Sequence, residues 1–174
     1  MTIIADDKDW TWVLERPCRE CGFDATRIDR ATTGQLVREN ATAWVRVLER
    51  GDVRVRPRDD KWSDLEYACH VRDVFRIMDQ RLALMLAENN PLFQNWDQDE
   101  TAITERYDLQ DPATVIRELL AAAQSYALRY DSVTESQWPR PGRRSNGSLF
   151  TVETLAHYGL HDPQHHLWDV GVSS

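Results

Sequence analysis

Ser63-Asp64-Leu65-Glu66 has the Ser-x-x-Glu form in which the two outer side chains satisfy free amides at a helix start. Behind it Val71, Val74, Phe75, Met78, Leu82, Met85 and Leu86 recur at three- and four-residue intervals until Asn89-Asn90-Pro91. A stripe of that length predicts a long amphipathic helix that must bury one face against other helices. Three further windows read the same way. One runs from Thr26 to Arg50, with Val37, Ala41, Trp44, Val45 and Leu48 on one face, and stops before Gly51. Another starts at Asp111-Pro112, a capping residue followed by a first-turn proline, and carries Val115, Leu119, Ala122 and Tyr126 to Asp131. The last begins near Thr151 and runs through Leu155, Ala156, Leu160 and Leu167 toward Val170. Pro163 lies inside it and predicts a kink or a restart. Val53 to Pro57 reads as a linker, and the Pro- and Gly-punctuated stretch from Pro139 to Gly147 as a loop. The expectation is an all-α four-helix bundle over residues 26–174, preceded by a short N-terminal extension, residues 1–25.

Charge and composition narrow the function. The net charge of −8 argues against nucleic acid and against an anionic membrane surface as partner, since both need a basic face. No apolar run approaches the ~18–20 residues that cross a bilayer. The start Thr2-Ile3-Ile4-Ala5-Asp6-Asp7 lacks the basic and apolar regions of a secretory signal, so a cytoplasmic setting is expected. Three cysteines do not make a disulfide scaffold. Asp97, Asp99 and Glu100 lack the glycine and terminal glutamate of a calcium loop, so they read as a solvated turn.

The histidines are the candidate chemistry. His161 and His165, like His157 and His161, are four residues apart, which sets two imidazoles on one side of a helix. Such a pair can grip a metal, and His70 is the one histidine outside the last helix that could complete three ligands. Spacing alone fits ordinary surface or core histidines as well. On a straight helix His161 and His165 lie away from the Leu155–Leu160–Leu167 stripe.

The segment from Lys61 to Asp73, with Trp62, Ser63, His70 and Asp73 in order, resembles the second-helix signature of the DinB/YfiT-like superfamily. Leu160-His161-Asp162-Pro163-Gln164-His165-His166-Leu167 resembles that superfamily's fourth-helix H-x-x-x-H element. With the bundle plan, the resemblance covers about residues 26–170. It implies a divalent metal, zinc or nickel, held by His70, His161 and His165, with His157 and His166 outside the ligand set. Glu66, Asp73 or Asp169 could orient those imidazoles by accepting the second N–H, or serve as plain solvated acids.

Characterised members of the superfamily include enzymes that use low-molecular-weight thiols. The resemblance therefore implies a metal-dependent thiol transferase or isomerase with a co-substrate such as mycothiol and an electrophilic small molecule. A metal-dependent hydrolase at the same site and a non-catalytic, stress-associated metal-binding protein are the alternatives. Arg140, Arg143 and Arg144, in the loop entering the last helix, could hold a substrate carboxylate, or simply be solvated. Outward Trp, Leu or Val could support a homodimer. The remaining motif is Cys18-Arg19-Glu20-Cys21-Gly22. It could supply two zinc thiolates, but a structural zinc needs four ligands and the sequence offers no second C-x-x-C pair. It therefore reads mainly as a reduced structural pair pinning Trp10-Thr11-Trp12 to the bundle, with a regulatory disulfide or a half-filled metal site still open.

Overall fold

The computed structural model describes residues 9–172. Four long helices dominate: α1 (Thr33–Leu48), α2 (Asp64–Ala87), α4 (Pro112–Asp131) and α5 (Val152–Asp169), with a short α3 (Gln98–Thr104) between α2 and α4. α1 and α2 each pack against both α4 and α5, which makes the predicted bundle. Trp44, Phe75, Leu82, Met85, Leu119, Tyr126 and Leu155 fill its centre.

Capping sets most of the boundaries. The Ser63 hydroxyl accepts from the Glu66 amide at 3.3 Å, and the Glu66 carboxylate accepts from the Ser63 amide at 2.9 Å. Ser63→Ala is expected to cost about 1 kcal/mol. In urea it should lower the unfolding midpoint without altering the slope. The Asp111 carboxylate caps α4 through the Thr114 amide at 2.8 Å.

The first window begins later than its periodicity suggests. Asp24 and Asp29 accept from the Thr26 and Ala31 amides and draw residues 25–27 and 30–32 into single 3-10 turns, so α1 starts only at Thr33. At the other end of the chain, α5 runs through Pro163 as one helix, without a restart.

The stretch read as a loop contains a β-hairpin, β1 (Pro141–Arg143) against β2 (Leu149–Thr151), with Gly142 opposite Phe150. Gly142 is required there because a Cβ would stand 2.6 Å from Phe93 Cζ and 2.8 Å from Met85 Cγ.

The segment between α2 and α4 covers the outer side of α2. Tyr107, wholly buried, donates its hydroxyl to Asp73 Oδ2 at 2.6 Å. Every residue from Leu65 to Phe75 is therefore buried, charged ones included. No helix among the described residues is long and apolar enough to cross a membrane.

Candidate metal centres

Two pairs of potential ligands are interleaved on α5. His161 and His165 share one side; Asp162 and His166 share another, about 100° round the helix. Each pair meets different partners.

Asp162 and His166 face His70 of α2. Asp162 Oδ1 lies 3.2 Å from His70 Nε2 and 3.7 Å from His166 Nε2, and all three donor atoms fall within 4.8 Å of one another. Two ligands bonded at ~2.0–2.1 Å to a tetrahedral ion stand about 3.3 Å apart, so this donor set fits a divalent cation. Burial pushes the Asp162 carboxyl up, but the imidazoles of His70 and His166 outweigh it and hold it well below the usual carboxylate range. His166 Nδ1 lies 2.9 Å from Asp169 Oδ2; as the donor of that bond it leaves the Nε2 lone pair facing the cluster. His70 is fully buried, stacked on Trp96 at 5.5 Å and flanked by Trp62 at 5.3 Å. The Asp162 side chain, 30% exposed, forms the open side.

His161 and His165 face the N-terminal segment instead. Their rings and the sulfurs of Cys18 and Cys21 form a second group whose donor atoms also lie within 4.8 Å of one another, all four residues buried. Cys18 Sγ is 3.6 Å from His165 Nδ1. The cysteines sit on a tight turn in which Gly22 N–H donates to Cys18 O at 3.0 Å and Cys18 N–H to Phe23 O at 2.8 Å. Gly22 has φ +73°, in the left-handed region that favours glycine. Burial pushes the Cys21 thiol up to about 12 and pulls the His161 imidazole down to about 4. Trp10 lies 5.4 Å and 5.0 Å from the His161 and His165 rings, and Phe23 lies 5.4 Å from His161.

The three histidines implied by the resemblance are thus not brought together: His161 and His165 go to the cysteines, and His70 goes to Asp162 and His166. His166, expected outside the ligand set, faces His70 with ring centroids 4.9 Å apart. The missed signal was a second i, i+4 pair, Asp162 and His166, one residue out of step with the first. His157 joins neither group among the described residues.

Of the three candidate orienting acids, Asp169 alone meets an imidazole among the described contacts. Glu66 is bound to Arg56 and the Ser63 amide. Asp73 takes two 2.9 Å bonds from Arg72, with Arg76 at 3.0 Å and Tyr107 at 2.6 Å.

The three loop arginines also separate. Arg140 donates to Met85 O at 2.6 Å and Glu88 O at 2.8 Å, closing the far end of α2, about 22 Å along the helix from His70. Arg143 lies in β1, its backbone bonded to Pro91 and Phe93. Arg144 reaches the Tyr158 hydroxyl at 3.3 Å, one turn before Asp162. Sequence reading overlooked Arg81, which is 8% exposed, has no hydrogen-bond partner for its Nε, and is pulled down to about 10 by burial and then by Arg144. Sitting inside an apolar stripe, it carried no distinguishing pattern. A cavity of about 500 Å³, lined by Phe23, Ile28, Leu36, Leu160, Pro163 and Leu167, borders Cys21 but none of His70, Asp162 and His166.

The model of the DinB superfamily matches residues 34–170. Among solved structures, YfiT from Bacillus subtilis, described as a probable metal-dependent hydrolase with an unusual four-helix bundle topology, superposes with a TM-score of 0.72 at 19% identity. The match covers 80% of this chain and 82% of that one. At that identity the likeness shows a shared fold. No curated protein matches the chain.

Proposed function

The chain belongs to the DinB superfamily, and from that premise we propose a metal-dependent enzyme whose divalent ion is held by His70, Asp162 and His166. The supporting observation is the convergence of two imidazole nitrogens and one carboxylate oxygen at 3.2 and 3.7 Å. Three protein ligands leave a position open for a reactant, as catalytic sites do. Bound there, zinc or nickel would supply Lewis acidity and lower the pKa of water or a thiol toward neutrality.

The surrounding side chains have distinct tasks. Asp169 holds His166 in the tautomer that presents Nε2. Trp62 and Trp96 wall His70 from bulk water. Arg144, bonded to the Tyr158 hydroxyl, stands one turn from Asp162. Such a guanidinium suits the carboxylate of a small substrate or thiol.

The nucleophile we propose is a low-molecular-weight thiol such as mycothiol, acting in the cytoplasm. Asp162 and Asp169, the carboxylates beside the centre, are already engaged by imidazoles. At a divalent ion a thiol and a water alike would lose the first proton before attack, so the choice of a thiol follows the thiol-using members of the superfamily. Hydrolysis is the second reading, favoured by the description of YfiT. Apoprotein reloaded with zinc or nickel should conjugate 1-chloro-2,4-dinitrobenzene only when mycothiol is present. Turnover of 4-nitrophenyl acetate without thiol would select hydrolysis, and failure of His70→Ala to alter metal binding would sink both.

A further inference from the structure

We infer that Cys18, Cys21, His161 and His165 form a second, closed zinc site that pins the N-terminal segment to α5. The cysteines precede the residues matched by the family model, and this site goes beyond the reading of the open centre.

Geometry and chemistry agree on it. Sulfur at ~2.3 Å and nitrogen at ~2.0–2.1 Å on one tetrahedral zinc stand about 3.6 Å apart. Cys18 Sγ and His165 Nδ1 are separated by 3.6 Å, with the other two donors inside the same 4.8 Å group. The spacings, C-x-x-C on a turn and H-x-x-x-H on a helix, are those of Cys₂His₂ zinc sites. His165 Nε2 faces the carboxylates of Glu20 at 3.6 Å and Asp169 at 4.0 Å, so coordination through Nδ1 would leave the ring N–H pointing toward negative charge. His161 Nε2 is buried with no hydrogen-bond partner, and coordination would satisfy it.

Binding releases the two thiol protons to solvent and leaves two thiolates and two neutral imidazoles around Zn²⁺. The net charge is zero, which suits a site whose four ligands are all buried. Four protein ligands leave no position for a reactant, so this zinc is structural. Its role follows from the interleaving on α5. By clamping residues 161 and 165 it sets the rotation of the helix that aims Asp162 and His166 at His70, and Asp169 Oδ2 touches both sets of imidazoles.

X-ray absorption at the zinc edge of the unaltered protein, purified with added zinc, requires no variant to fold. It should show a sulfur shell at ~2.3 Å beside nitrogen at ~2.0–2.1 Å. Cys18→Ser combined with Cys21→Ser should lose one equivalent of dialysis-resistant zinc per chain. His70→Ala, loaded with cobalt, should retain thiolate-to-cobalt charge-transfer bands. Zinc bound by nitrogen and oxygen alone, no bound zinc, a quantitative Cys18–Cys21 disulfide in the zinc-supplemented protein, or an unchanged zinc content in the serine variant would each overturn the assignment.

Discussion

Asp162→Ala is expected to lower turnover by more than ~100-fold while far-ultraviolet circular dichroism stays helical. Loss of a residue that only orients a ligand typically costs 10–100-fold in metal affinity or activity. Asp162 is itself one of the three donors, and the sole negative one, within reach of both His70 and His166. Without it two neutral imidazoles remain, too few to hold an ion firmly. Asp169→Ala removes only the partner of His166 Nδ1 and belongs in the 10–100-fold range. The same assay separates this assignment from the three-histidine one. If Asp162→Ala kept full activity and metal while His161→Ala lost both, the ligands would be His70, His161 and His165 after all.

The second large effect concerns stability. Asp73 and Arg72, 8% and 3% exposed, anchor a network that extends to Arg76, Tyr107, Gln110 and Glu118. Asp73→Ala leaves buried Arg72 with Gln110 and Glu118 as its remaining partners and takes the acceptor from the Tyr107 hydroxyl, a loss of about 3 kcal/mol. Burial raises the Asp73 carboxyl, but the bonds from Arg72 and Tyr107 and the charges of Arg72 and Arg76 outweigh it and hold it below its ordinary value. A carboxylate depressed in the folded state contributes fully above its unfolded pKa of ~3.9 and loses that contribution as pH falls through the folded value. Urea unfolding should therefore show the full deficit of the variant at pH 7 and a deficit that shrinks as pH falls below the unfolded value of ~3.9. A deficit that stays constant across that window would remove Asp73 ionisation as its source.

Local patterning was a sound guide wherever one helix settles the matter. The Ser63–Glu66 box and the stripe behind it set α2, and Asp111-Pro112 set the start of α4. The same approach overran α1, because Asp24 and Asp29 capture amides that apolar periodicity does not register. It gave no hint that Tyr107 would fold back over Asp73, since that contact joins residues 34 apart and depends on how the segment before α4 drapes over α2.

The metal residues divide along the same line. Their chemical types and their i, i+4 spacings on α5 were inherent in the chain, because helix geometry alone puts such pairs on one side. Which pair looks at His70 and which at the cysteines was not, since neighbouring residues differ by about 100° in direction. The rotation of α5 is set by packing and by contacts as remote as Cys18 to His165, 147 residues apart. Sequence supplied the donors and the bundle; only the assembled helices distributed those donors between one group of three and another of four.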